Sequence, residues 1–265
     1  MNVTAMYFSP NGSTKKIVRT IAKQIEPNFK AINFTQPKIR NEIYNFGEND
    51  LLIIGVPVYA GRVPNVLLKF LDNIKGNNSL CVPVVVFGNR NYDDALIELK
   101  SILEKNGFCA IAGCAFIGQH AFSKVLAKDR PDSEDLAKAV DFGRQVYDKV
   151  NISNVYESIK VKGFTPLREY YKPRDRAGKF INILKVKPKT NTQLCSKCLV
   201  CVKVCPMGSI SEQNPEQVTG ICIKCCACEK KCPNGAKYFD DEGYLYHKKE
   251  LELEYTRRAE PEIFI

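Results

Sequence analysis

Short apolar runs alternate with amphipathic stretches through the first 150 residues. Residues 3–8 (VTAMYF) read as a buried strand, and Ile17, Val18, Ile21, Ala22 and Ile25 then recur at the spacing of one helical face. Strands follow at Phe29–Phe34, Leu51–Val56 and Cys81–Phe87, with helices at Asn65–Asn73 and Asp93–Asn106 and a fifth strand at Phe108–Ile117. A last helix runs from Ser133 to Val150, with Leu136, Ala139, Val140, Gly143, Val146 and Tyr147 on one face and Asp132 placed to cap it. Apolar strands alternating with amphipathic helices predict an α/β fold, a doubly wound five-stranded parallel sheet covered on both faces. Beyond residue 150 the alternation stops, which divides the chain into 1–150, a strap or linker at 151–190, a cysteine-rich unit at 191–240 and a charged tail at 241–265.

At 265 residues and 45% hydrophobic, the chain has apolar material for folded domains, which excludes a disordered chain. Its longest nearly uninterrupted apolar run, Leu51–Ala60, is shorter than the roughly 20 residues a spanning helix needs, so no membrane association is expected. No basic segment precedes the first apolar stretch, which does not fit a secretory leader and makes the cytoplasm the expected location. Net charge is +10, and residues 151–190 alone hold 10 basic and 3 acidic residues. That strap mixes Pro166, Pro173 and Pro188 with Tyr170, Tyr171, Arg168, Arg174 and Arg176 and is read as mostly solvated, balancing anionic cofactors or docking an acidic redox partner. No nucleic-acid-binding motif accompanies the charge, so nucleic acid is not an expected partner. The tail from Lys248 to Arg258 alternates charges and reads as exposed helix or coil.

Twelve cysteines change the picture more than the charge does. Cys81, Cys109 and Cys114 are isolated in apolar segments and read as small core residues. The other nine crowd between Cys195 and Cys232, a density that a reducing compartment uses for metal. Cys195, Cys198, Cys201 and Cys205 are followed by Pro206, and Cys222, Cys225, Cys228 and Cys232 by Pro233: the spacing C-x-x-C-x-x-C-x-x-x-C-P occurs twice, 27 residues apart. Zinc also uses C-x-x-C pairs, but it gives no reason for the third thiolate or for the proline. The segment resembles a bacterial two-cluster ferredoxin, in which three thiolates of one loop bind one [4Fe-4S] cluster and the fourth binds the other. The resemblance implies one cluster on Cys195, Cys198, Cys201 and Cys232 and a second on Cys222, Cys225, Cys228 and Cys205, within a small α+β domain. Cys226 falls outside both repeats and is read as a spare thiol beside the loop.

Ligands on open parallel sheets bind beyond the carboxyl ends of the strands. There the sequence offers Ser9-Pro10-Asn11-Gly12-Ser13-Thr14 after the first strand, Pro57-Val58-Tyr59-Ala60-Gly61-Arg62 after the third and Gly88-Asn89-Arg90-Asn91-Tyr92 after the fourth. The first turn is hydroxyl-rich and opens a helix, which suits a phosphate monoester, and it matches neither a Walker loop nor G-x-G-x-x-G. The set resembles the flavodoxin family, with Tyr7, Ser9, Gly12 and Thr14 meeting its first-loop pattern. The resemblance implies strand order 2-1-3-4-5 and FMN, its phosphate on Ser9, Asn11, Gly12, Ser13 and Thr14. Its ring would lie between Pro57, Val58, Tyr59, Ala60 and Gly61 and Gly88, Asn89, Arg90 and Tyr92, with Tyr59 as first aromatic partner and Tyr92 as second. His120 follows the fifth strand, where it either borders the flavin or is a structural histidine, the second reading being favoured; no residue is assigned a catalytic role.

Together the halves resemble the flavodoxin–ferredoxin fusion proteins of anaerobic bacteria. That architecture implies an electron-transfer protein linking two [4Fe-4S] clusters to FMN in anaerobic metabolism, with redox proteins as donor or acceptor. The alternative is a flavoenzyme whose clusters feed FMN to reduce a bound organic substrate. The chain carries no dedicated NAD(P) fingerprint and no convincing acid–base pair, which favours the carrier. A homodimer stays open.

Overall fold

The computed structural model describes residues 1–152 and 155–265. Its elements begin with β1 (Asn2–Tyr7), α1 (Ser13–Ile25), β2 (Lys30–Asn33), β3 (Tyr44–Phe46) and β4 (Asp50–Pro57). Then come α2 (Leu68–Leu71), β5 (Ile74–Gly76), β6 (Ser79–Phe87), α3 (Ala95–Lys105), β7 (Phe108–Ala110), β8 (Gly113–Ile117) and α4 (Ser133–Ile152). The remainder holds β9 (Lys189–Thr190), α5 (Val200–Val204), α6 (Ala227–Lys230), β10 (Lys237–Tyr238), α7 (Glu242–Glu254) and β11 (Glu262–Phe264).

The main sheet runs β11-β8-β6-β4-β1-β2, with β7 beside β6. Every pairing in it is parallel except β11 on β8. Taking β8 as the fifth strand, the parallel part has the order 2-1-3-4-5. β4 and β6 are buried along nearly their whole length, as strands covered on both faces must be. Alternate residues feed two apolar layers: Leu52 and Ile54 pack with Phe34, Phe70 and Leu96 on one side, and Leu51 and Ile53 with Ile17, Ile21 and Phe142 on the other. Each such side chain contributes about 1.5–3 kcal/mol by leaving water. Asp132 Oδ1 accepts from the amides of Glu134 and Asp135 and so caps α4.

Three features differ from the sequence expectations. The strand expected over Phe108–Ile117 is two strands, because the register against β6 slips by one residue between them: Cys81 faces Ala110 but Val84 faces Cys114. The extra residue makes a bulge opposite Pro83, which has no N–H to offer. The helix expected over Asn65–Asn73 is a 3-10 turn at Asn65–Leu67 continued by the single turn of α2. Finally, the tail is helix α7, whose Tyr244, His247 and Leu251 are buried, followed by an edge strand of the main sheet. Among the isolated cysteines, Cys81 and Cys114 are buried, whereas Cys109 is half-buried with Sγ 3.8 Å from the Tyr156 carbonyl. Among the described residues no helix is long and apolar enough to cross a membrane.

Candidate functional site

The sequence repeat is also a backbone repeat. Lys197 and Leu199 adopt left-handed φ of 55° and 60°, and Lys224 and Cys226, 27 residues on, adopt 52° and 57°. Each loop then enters a short helix, α5 or α6. Non-glycine residues take this conformation at a cost, so two pairs at matching positions mark loops shaped to turn peptide N–H groups inward. The fourth cysteines match as well, with Cys205 Sγ accepting from Ser209 N at 3.4 Å and Cys232 Sγ from Ala236 N at 3.2 Å. Cys226 stands where Leu199 stands in the first loop, as the left-handed residue before the helix. Its Sγ lies 3.3 Å from the Tyr244 hydroxyl, in a cluster with Ile183 and Phe239.

Cys195, Cys198, Cys201 and Cys232 line one small cavity; Cys205, Cys222, Cys225 and Cys228 line another, which Cys226 also borders. The fourth cysteine of each motif therefore joins the three of the other. Among the described residues no three His, Cys, Asp or Glu side chains come close enough to grip a single ion. Four sulfurs around a cavity fit a group wider than one ion, as a cubane is. Burial pushes the thiols of Cys201 and Cys222 up and that of Cys225 up to about 12. Such thiols give up their protons to a strongly electrophilic metal rather than to water. At Cys232 burial acts upward but is outweighed by the amides of Lys237, Ala236, Asn234 and Gly235, which hold the thiol below its usual range. The first set lies nearer solvent, with Cys198 exposed; in the second, Cys225 and Cys228 are buried.

A larger cavity of about 270 Å³ opens beyond the carboxyl ends of β1, β4, β6 and β8. Of the residues expected there, Ser9, Asn11, Ser13, Thr14, Pro57, Val58, Tyr59, Ala60, Gly61, Gly88 and Arg90 line it. Three do not. Gly12 sits on the outer side of the turn as the left-handed residue (φ 98°) that starts α1. Asn89 turns into the protein, where Nδ2 donates to the carbonyls of Tyr255 and Arg257 and Oδ1 accepts from Ala259 N. Tyr92 is buried against Phe87 and donates to Glu262. Both hold the C-terminal segment.

Pro10 and Asn91 of the expected loops and His120 also line it, and further segments join them that the sequence did not place there. Gly118–Phe122 contribute from the loop after β8, Tyr171 and Pro173 from the strap, Ile223 and Lys224 from the second cysteine loop, and His247 and Leu251 from α7. The strap is pinned over the cavity by Tyr171 N donating to Ala60 O at 2.8 Å and by Arg168 on the buried Asp94 at 2.6 Å. Both histidines are held neutral by burial, with Arg90 nearby: His120 is pushed down to about 3 and His247 to about 4. His120 Nδ1 accepts from Phe122 N, which leaves the proton on Nε2. Tyr59 is raised by burial and by the thiols of Cys225, Cys226 and Cys222.

The residues present fit a flavin phosphate ester. Ser9, Ser13 and Thr14 offer hydroxyls to the phosphate at the N-terminus of the 13-residue α1, and Asn11 Oδ1, a buried acceptor without a partner, suits a hydroxyl of the flavin side chain. Asn11 Nδ2 donates to the Cys225 carbonyl at 2.7 Å, so the turn that faces the large cavity is bonded to the loop that carries the second cysteine set.

Comparison with known proteins gives two domain matches: a flavodoxin domain over residues 5–94 and a 4Fe-4S binding domain over residues 188–211. No curated protein matches the chain. Among solved structures, a flavodoxin from the domain Archaea is 15% identical and covers 57% of this chain and 99% of its own, with a TM-score of 0.41. Oxidised flavodoxin 2 from Bacillus cereus is 15% identical over 56% of this chain and 99% of its own, with a TM-score of 0.43. The apo form of an NADH:FMN oxidoreductase is 18% identical over 58% of this chain and 91% of its own, with a TM-score of 0.40. The chain thus joins an N-terminal flavodoxin domain to a C-terminal 4Fe-4S binding domain.

Proposed function

We propose that this protein is an electron carrier that links two [4Fe-4S] clusters to FMN within one chain. The observation that carries the reading is the shared wall: Ile223, between Cys222 and Cys225, borders both the second cysteine cavity and the large cavity. When bound, FMN would supply a two-electron carrier and each cluster a one-electron carrier. Ser9, Ser13 and Thr14 would hold the phosphate end and Asn11 a hydroxyl of the flavin side chain, with Pro57–Gly61 and Gly88 flanking the ring. Cys195, Cys198, Cys201 and Cys232 would hold the first cluster and Cys205, Cys222, Cys225 and Cys228 the second. Residues 1–150 would then form the flavin domain and 191–240 the cluster domain, the strap at 151–190 and the tail at 241–265 binding them together.

The exposure of Cys198 supports an order in which a redox partner protein meets the first cluster, and the second cluster stands between it and the flavin. Tyr171, Pro173 and Leu251 also line the cavity, so the strap and α7 would contribute apolar walls to the flavin site. Rapid mixing of anaerobic holoprotein with a limiting one-electron donor tests the reading. Flavin bleaching should follow cluster reduction at a rate independent of protein concentration and should be lost in Cys222→Ser. A rate that scales with protein concentration would mean transfer between molecules and would refute an internal link.

A further inference from the structure

Lys237 is 3% exposed, yet no carboxylate pairs with it among the described residues. Its Nζ donates to Thr190 Oγ1 at 2.6 Å and to the Pro215 carbonyl, both neutral acceptors. Lysine is almost never buried without a countercharge, because an ammonium removed from water loses far more than two neutral hydrogen bonds return. The residue lies at the start of β10, paired with Thr190 of β9, and lines the cavity of Cys195, Cys198, Cys201 and Cys232. Its field also reaches the other set: burial pushes the thiols of Cys201 and Cys228 up, and the Lys237 ammonium opposes the rise at both. The groups near enough to serve as its countercharge are therefore the cysteines of the two sets.

We propose that Lys237 is a positioning residue that sets how readily the clusters accept electrons, its buried ammonium being the fixed countercharge to both cysteine sets. The proposal rests on the electron-transfer reading above. Each electron that arrives adds one negative charge to a site already ringed by thiolates, and a fixed cation in a poorly screened interior lowers the free energy of the reduced form more than that of the oxidised form. No proton need move.

The test compares wild type, Lys237→Arg, Lys237→Gln and Lys237→Met, purified anaerobically and analysed for iron and by potentiometric titration followed by electron paramagnetic resonance. The charge-keeping Lys237→Arg should retain wild-type midpoints. In Lys237→Gln and Lys237→Met the ratio of reduced to oxidised cluster at a fixed potential should fall about tenfold or more, a shift to more negative midpoints. Full iron with unchanged midpoints in the neutral variants would overturn the proposal, as would equal loss of iron in all three, which would make Lys237 a structural tie. Loss of iron in the neutral variants alone supports the countercharge. A wild-type protein without iron would instead remove the electron-transfer reading itself, a result distinct from failure at Lys237.

Discussion

Asn11 serves two neighbours at once: its amide N–H holds the Cys225 carbonyl while its oxygen is buried and unpartnered on the cavity side. Asn11→Leu removes both roles in a side chain of similar size. Loss of the bond to Cys225 costs about 0.5–1.5 kcal/mol, and loss of the acceptor for a flavin side-chain hydroxyl should weaken flavin binding by about tenfold. Recovery of flavin fluorescence on dilution measures it, and unchanged retention would remove Asn11 from the site. The sequence named Asn11 and Asn89 alike, as loop residues at strand ends. It could not tell them apart, because loop membership does not say which way a side chain turns: Asn89 faces inward, where the carbonyls of Tyr255 and Arg257, remote in sequence, wait for a donor. His120 and His247 couple stability to pH. Both are kept neutral in the folded protein, with values of about 3 and about 4 against 6.5 for a free imidazole. As pH falls below 6.5 the unfolded chain takes up protons that the folded one refuses, so stability drops progressively towards pH 4. The slope of melting temperature against pH over that window should be shallower in a His120→Gln, His247→Gln double variant; equal slopes would contradict the assignment.

Helices α4 and α1 cross in close contact. A Cβ on Gly143 would stand 2.8 Å from the Ile21 carbonyl and from Gln24 Cβ. Gly143→Val should therefore cost about 1–3 kcal/mol in urea unfolding, with the two helices forced apart. Such an approach can be guessed from a glycine on an apolar helical face, and the sequence placed Gly143 on that face. Strand breaks are less legible. The bulge between β7 and β8 falls at Ile111–Ala112, inside an unbroken apolar run, and its signal lies on another strand, at Pro83. The cysteine loops are the opposite case, since their chemistry fixes their spacing and the spacing is written twice.

In the whole molecule, the two domains are bound by contacts that no local pattern announces. Gln36 donates to Lys203 O, Arg40 to Pro206 O and Lys230 to His120 O, each joining the sheet domain to a cysteine loop. The last residues then return to the first domain, where β11 completes the sheet edge, Tyr92 reaches Glu262 and the buried Arg130 spans Asp135 and the Ala259 carbonyl. The charge alternation of this tail reads as solvated because its buried members are few and its partners lie 126–170 residues earlier. Removing residues 255–265 should lower the melting temperature by several degrees and shed flavin while iron content holds, as separate flavin and iron assays on one preparation would show.

The function of the whole chain turns on what the two cysteine sets and the strand-end cavity bind. Anaerobic purification of the full chain, with iron, acid-labile sulfide, zinc and flavin determined together, tests it most directly. Two clusters of four predict about eight irons and eight sulfides per chain, with one FMN. Zinc in place of iron, with no flavin released on heating, would contradict it.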